Sequence, residues 1–283
     1  MLLIDLNQVM ISNLMKQVGS SAKIKLDEGL VRHMVLNTIR TIVRNYKSYG
    51  KVVIACDNKQ YWRREYFSYY KAGRKKMRES SVHDWNLIFE CLNKIKQELK
   101  DFSPYAVLDI DGAEADDIIA VLAQTFSKEE KIMILSNDKD FIQLQILPNV
   151  EQYSPILKKT IHSNNPEAFL KEMIIRGDAS DGIPNILSDD DIFLVEGKKQ
   201  HSITKKKLEQ FMNMSKFELS NNDHLSRNFF RNQQLIDFDH IPFRIRETIL
   251  NRYEETKPAS KQSFLNYMIK NRLNNLMEVF DDF

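Results

Sequence analysis

Only two cysteines, Cys56 and Cys91, occur in the 283 residues, and both sit inside apolar patterns rather than in a CxxC or Cys/His spacing. A disulfide framework and a zinc site are therefore not expected. Long apolar runs are missing too. No stretch approaches the roughly 20 residues needed to cross a bilayer, and the opening MLLIDLNQVM meets an aspartate too early for the apolar part of a secretory leader. These absences suggest a protein of a reducing cytoplasm with no membrane partner. Net charge is small, formally +2, which says nothing about partners until the positions of the charges are considered. No internal repeat and no Gly/Ser linker break the chain. With 42% hydrophobic and 10% aromatic residues, the composition is that of a protein with a substantial core.

What is present is ordered along the chain. Apolar runs of strand length occur at 1–4 (MLLI), 51–56 (KVVIAC), 105–110 (YAVLDI) and 131–136 (KIMILS). Between them, helical spacing runs over 30–49, closed by Gly50, and over 82–99 and 113–126. The alternation predicts an α/β fold whose mostly parallel central sheet is flanked by helices on both faces. Beyond about residue 165 strand-like runs are scarce. The expected division is an α/β domain over 1–164 and a smaller helical region over 165–283.

Several predicted strands run straight into carboxylates: Asp5 after the first, Asp57 after the second, Asp138 and Asp140 after the fourth. Glu114, Asp116 and Asp117 open the helix that follows the third, and Asp178 and Asp181 stand in RGDASDGIP. Ligands of open α/β sheets bind beyond the carboxyl ends of the strands, so these acids should converge. Helix geometry groups Glu114 with Asp117 and turns Asp116 away. An isolated aspartate is ordinarily a cap or a solvated charge. A converging set repels itself and holds protons unless cations neutralise it. Oxygen ligands without His or Cys suit Mg²⁺, with Mn²⁺ as a substitute. Two such ions can activate water on one side of a phosphodiester and stabilise the leaving oxygen on the other.

Residues 63–78 carry Arg63, Arg64, Lys71, Arg74, Lys75, Lys76 and Arg78 against one acid, Glu65, with Tyr66, Phe67, Tyr69 and Tyr70 among them. A helix over 60–78 would put Arg64, Lys71, Lys75 and Arg78 on one face to track phosphates. Tyr66, Phe67, Tyr70 and Arg74 would fall on an adjoining face able to stack bases. The plainer alternative buries the aromatics and leaves the cations as a solvated rim. Gly73 inside such a helix costs roughly 1 kcal/mol relative to alanine, so the helix is expected to be marginal without phosphates.

Taken in order, LLID, ACDN, WRREYFSYYKAGR, EADD, SNDKDF and GDASDGIP resemble the 5′-nuclease (flap endonuclease) superfamily, in particular the branch carried by T-even-type bacteriophages. The likeness covers nearly the whole chain, LIDFDHIP included. It implies a PIN-like core with a helical arch at about 58–81 and a duplex-binding region over 165–283. It also implies a two-metal-ion, Mg²⁺-dependent 5′-to-3′ exonuclease and flap endonuclease. Such an enzyme removes RNA primers and adjacent DNA in replication and has ribonuclease H activity on RNA-DNA hybrids.

By the same resemblance, Asp5, Asp57, Glu114, Asp116, Asp138 and Asp140 match ligands of a first metal, with Asp116 and Asp138 at the chemistry, and Asp178 and Asp181 match ligands of a second. The family pattern pairs Glu114 with Asp116 where periodicity pairs it with Asp117, so all three stay candidates. Arg63, Tyr70, Lys71 and Arg74 match arch positions, with Lys71 and Arg74 near the scissile phosphate. The implied substrates are branched or nicked DNA and RNA-DNA duplexes whose 5′ end passes under the arch. The implied state is a monomer in the host cytoplasm, with a sliding clamp or a single-strand-binding protein as further partners.

One departure stands out. In place of a glycine-rich turn that grips duplex and holds a monovalent ion, this chain reads NILSDDDIFLVEGKKQHSITKKK. Lys198, Lys199, Lys205, Lys206 and Lys207 are left either to meet phosphates or to form a solvated loop. Two other readings of the chain are a PIN-type single-strand ribonuclease and a noncatalytic DNA-binding protein. The tail NNLMEVFDDF reads either as a helix packed through Leu276, Met277 and Phe280 or as a peptide that docks on a clamp.

The segregation of charge makes a prediction. Affinity for a branched substrate should fall steeply with salt, because each neutralised phosphate releases counterions. Replacing Lys71 and Arg74 together should flatten the slope of log affinity against log salt. An unchanged slope would mean that neither residue touches the backbone.

Overall fold

Leu2–Asp5 (β1) is buried along its whole length, as a central parallel strand covered on both faces must be. The computed structural model describes residues 1–18, 26–215, 218 and 222–283. In it β1 pairs in parallel with Val52–Cys56 (β2) on one side and Ile132–Leu135 (β4) on the other. Ala106–Asp109 (β3) lies beyond β2. Val150–Ser154 (β5) and the antiparallel Lys159–Ile161 (β6) lie beyond β4, giving the order β3-β2-β1-β4-β5-β6. The order reverses at β1, and the crevice of such sheets opens at that switch point.

Alternation along the strands splits the core in two. Leu2, Ile4, Ile54, Cys56, Val107, Met133 and Leu135 face one side. They pack on Leu6–Val18 (α1), Glu28–Asn45 (α2) and Trp85–Phe102 (α5). Leu3, Val53, Ala55, Leu108, Ile132 and Ile134 face the other side, against Ala115–Phe126 (α6). Asp27 caps α2 and Asp84 caps α5 through their side chains.

The chain after residue 165 contributes to all the cores. Phe238, Ile241, Ile245 and Ile249 join the α6 side. Phe264, Tyr267, Leu276 and Phe283 join the opposite side. A third cluster gathers Met173, Ile174 and Ile175 of Pro166–Arg176 (α7) with Phe229, Leu235 and Ile236 of Asp223–Ile236 (α9). It also takes in Phe67 and Tyr70. Between α7 and α9, Lys205–Asn213 (α8) begins at the triple lysine. Among the described residues no helix is long and apolar enough to cross a membrane.

The predicted continuous helix over 60–78 is not formed. Two short helices replace it, Trp62–Tyr66 (α3) and Gly73–Glu79 (α4), separated by a turn in which Lys71 adopts φ 55°. The turn is drawn out of helical geometry by tertiary bonding, because the Lys71 N–H donates to the Asp181 carbonyl at 2.7 Å. Arg64, Lys71, Lys75 and Arg78 therefore share no face. Phe67 and Tyr70 are core residues, as in the plainer of the two readings, whereas Tyr66 is exposed.

The tail packs. Leu276 and Phe283 are buried, the Phe283 ring meets that of Phe264 edge-on, and Asp282 pairs with Arg40 at 2.8 Å. Docking on a partner would require Leu276 and Phe283 to leave the core. Deleting residues 276–283 should lower the melting temperature markedly, since truncating even one buried Phe costs about 3–5 kcal/mol. Unchanged thermal unfolding would show that the tail adds nothing to the core.

Candidate active site

The strand ends deliver the carboxylates where the switch point predicts. Asp5 closes β1; Gln8 N–H donates to its Oδ1 at 3.0 Å and Ser136 Oγ to its Oδ2 at 3.1 Å. Asp57 follows β2, and its Oδ1 accepts the Ala115 N–H of α6 at 2.8 Å while Asn7 Nδ2 donates to Oδ2. Asp138 caps the 3₁₀ turn over Lys139–Ile146 by accepting from Asp140 N–H at 2.9 Å. Behind Asp57, Lys96 donates to its backbone carbonyl at 3.3 Å and pairs with Asp109 at 2.9 Å.

Asp116 and Asp117 part company. Asp117 is wholly buried and turns inward. Its carboxylate accepts from Arg63 Nη1 at 2.8 Å, Trp62 Nε1 at 3.2 Å and the Glu114 N–H at 2.9 Å. Arg63, itself buried, also reaches Glu114 at 3.0 Å and the Leu235 carbonyl at 2.8 Å. Periodicity thus correctly put Glu114 and Asp117 together, but what they share is an internal ion cluster. Asp117 as a metal ligand and Arg63 as a nucleic-acid contact are both corrected, because the two side chains are buried and bonded to one another inside the protein. Asp116 instead faces the strand-end acids. Burial, followed by repulsion from Asp138 and Asp5, pushes its carboxyl well above the usual range.

The same holds for its neighbours. Burial and then Asp57 push Asp5 up to about 7. Burial and then Glu114 raise Asp57, and burial with Asp138, Asp178 and Asp181 raises Asp140. Glu114 behaves oppositely. Burial works against its ionisation, but Lys71 and Arg63 outweigh it and hold the carboxyl below its ordinary value. Asp178 is likewise lowered against its burial, by hydrogen bonds from Ser180 and Lys139.

The loop carrying Asp178 and Asp181 is framed by two glycines at positive φ, Gly177 at 65° and Gly182 at 73°. A Cβ at Gly177 would lie 2.3 Å from the Ile183 carbonyl oxygen, and one at Gly182 would lie 2.9 Å from that of Tyr69. The second contact presses the acidic loop onto the turn at 67–72. There the Tyr70 hydroxyl lies 3.0 Å from both Glu114 and Asp181, Lys71 Nζ is 2.6 Å from Glu114, and Arg74 is 2.5 Å from Asp181. Tyr70 is buried, so it offers no face for stacking a base. Arg64, Lys75 and Arg78 lie away from the acids: Arg64 sits over the Tyr61 ring, Lys75 is exposed near Glu79, and Arg78 sits over Phe89.

Sequence reasoning missed Asn7, Gln8, Ser136, Lys96 and Lys139, which hold the acids through contacts made far along the chain or by residue types too common to stand out. In the departing segment, Lys198 pairs with Asp191 at 2.9 Å, and Asp190 binds Arg227 and Arg231. Acids there are answered within the protein.

Among the described residues, no three His, Cys, Asp or Glu side chains surround one point closely enough to hold an ion as they stand. The chemistry of the donors nevertheless fits a hard divalent cation. They are all oxygens, Asp140 Oδ1 is buried without a hydrogen-bond partner, and four of the acids are destabilised as anions. Adjacent residues should therefore respond differently to mutation. Asp116→Asn should leave thermal stability at or above wild type, since it removes repulsion, while abolishing phosphodiester cleavage. Asp117→Ala should cost about 3–5 kcal/mol, because it leaves Arg63, Trp62 Nε1 and the Glu114 N–H short of a partner. Equal stability losses in urea titrations of the two variants would refute the distinction.

Comparison with known proteins agrees with this geometry. Residues 1–174 match the family model of the 5′-3′ exonuclease N-terminal, resolvase-like domain, and residues 164–283 match that of the T4 RNase H C-terminal domain. The chain is 37% identical to the ribonuclease H of Enterobacteria phage T4 over 99% of its own length and 95% of the relative's. It is 32% identical to the 5′-3′ exonuclease of Buchnera aphidicola subsp. Acyrthosiphon pisum over 54% of each. Among solved structures, T5 5′-exonuclease with divalent zinc ions bound superposes with a TM-score of 0.67 at 17% identity, over 91% of this chain and 99% of that one. A complex of the T5 D15 flap endonuclease with DNA and metal ions gives 0.64 at 17% identity, over 90% and 99%. With one family model covering its first 174 residues and a phage ribonuclease H aligned along nearly all of it, the chain belongs to the 5′-3′ exonuclease family, in the branch that carries the T4 RNase H C-terminal domain.

Proposed function

We propose that this nuclease uses two Mg²⁺ ions to hydrolyse phosphodiester bonds at 5′ ends and flaps, removing RNA primers and the DNA beside them during replication. The observation that carries the reading is the convergence of Asp5, Asp57, Asp116 and Asp140 in one buried pocket at the switch point. All four are raised by burial and by neighbouring acids, and among the described residues no Lys or Arg makes an ion pair with them. When bound, the metal supplies activation of the attacking water and stabilisation of the leaving oxygen. Asp5, Asp57, Asp116, Asp138 and Asp140, with Glu114, would hold the first ion, and Asp178 and Asp181 the second.

The protein's own groups do the rest. Asn7, Gln8 and Ser136 fix the carboxylates of Asp57 and Asp5. Lys71 and Arg74, now paired with Glu114 and Asp181, would receive the scissile phosphate. Arg64, Lys75 and Arg78, on the outer side of 62–79, are free to follow the backbone toward it. We also propose that the division near residue 165 is functional, with duplex bound by the later part. The overlap of the two family models at 164–174 supports that division. A sliding clamp, a single-strand-binding protein and a monomeric state belong to the same proposal.

The test is cleavage of a 5′-labelled flap with and without Mg²⁺, by wild type and Asp138→Asn. The variant should lose cleavage by orders of magnitude while its DNA affinity survives, since a lost metal ligand harms the transition state more than phosphate contacts. Near-normal turnover at limiting Mg²⁺ would overturn the assignment.

A further inference from the structure

The acids of the site divide by their partners. Asp5, Asp57, Asp116, Asp138 and Asp140 make no ion pair with Lys or Arg among the described residues, whereas Glu114, Asp178 and Asp181 each carry at least one. Asp178 is paired with Lys139 at 2.9 Å, Asp181 with Arg74 at 2.5 Å and Lys71 at 3.4 Å, and Glu114 with Lys71 at 2.6 Å. Lys71 Nζ thus bridges carboxylates from two distant parts of the chain. Asp178 and Asp181 are largely buried and Lys71 nearly so, while Lys139 and Arg74 are about half exposed and able to swing away.

We infer that Lys139, Lys71 and Arg74 are built-in counter-cations of the Asp178/Asp181 half of the site, so that a divalent ion enters there only by displacing them, while the Asp5/Asp57/Asp116 half loads without displacing any cation. The inference rests on the two-ion reading above. It follows from electrostatics at short range: an ammonium or guanidinium within 3 Å of a carboxylate competes directly with a metal for the same lone pairs, and its charge repels the metal while it stays. Lys139 lies outside the arch, next to Asp138 and Asp140 in sequence, and is assigned here a role that no motif marks. The displacement has a use. Lys71 and Arg74, released from Glu114 and Asp181, become free cations at the mouth of the pocket, where an incoming phosphate can take them up. Ion entry and substrate phosphate binding then favour one another.

The experiment is titration of the DNA-free protein with Mn²⁺ at fixed pH and ionic strength, following free Mn²⁺ by its electron paramagnetic resonance. Wild type is compared with Lys139→Met and Arg74→Gln, each checked by thermal unfolding. Both replaced residues are about half exposed, and the substitutions remove the charge while keeping most of the stem. Wild type should bind one ion tightly and a second weakly. Both variants should tighten the weak ion by about tenfold or more, with the tight ion unchanged within about twofold. A weak ion equally weak in wild type and both variants would overturn the displacement while leaving the two-ion reading intact. A protein that binds no Mn²⁺ at all would overturn that reading as well.

Discussion

Everything near the cleft answers one electrostatic constraint: several carboxylates stand together in a buried pocket, where each disfavours the ionisation of the next. The fold meets it unevenly. Toward Glu114 and the 178–181 loop, charge is balanced from within by Arg63, Lys71, Arg74 and Lys139. Around Asp5, Asp57, Asp116 and Asp140 it is not balanced, and the carboxyls retain their protons more strongly than usual. An arrangement that costs stability in the free protein is what a metal-dependent site requires.

The same constraint shapes the segment over 62–79. As an isolated peptide it would be read from its own periodicity. In the protein it is broken at 67–72 because Tyr70 and Lys71 bond to groups on α6 and on the acidic loop, and Phe67 fills a cluster with α7 and α9. Local propensity yields to tertiary contact here, as it commonly does. What remains at the surface, exposed Arg64 and Lys75 with half-buried Arg78, is a sparser cationic track than one continuous helix would have offered.

Much of this was legible in residues alone, and the reasons are physical. The parallel strands announce themselves as uninterrupted apolar runs because both faces are covered, and the acids that follow them mark the crevice. Strands β5 and β6 were not foreseen, since VEQYS and KTI alternate or are largely exposed at the sheet's margin and carry no such run. The separate fates of Asp116 and Asp117 were also hidden. One-residue spacing rotates a side chain about 100° around a helix, but Arg63, which decides what Asp117 meets, lies more than fifty residues away. Lys139 and Asn7 were invisible for the same reason, as ordinary residues whose partners are set by the fold.

The packing of Phe264, Tyr267 and Phe283 against the cluster of Leu2 and Ile4 bears on how the molecule is made. β1 is translated before these residues, and the hydrophobic cluster built on one of its faces is completed only by side chains translated roughly 10–50 s later. Until then α2 and α5, which cover that face, lack the partners that Tyr267 and Asp282 supply, and a long stretch of chain must be ordered before the contact stabilises anything. A nascent chain of this protein therefore carries every acidic residue of its site before the packing behind them is complete.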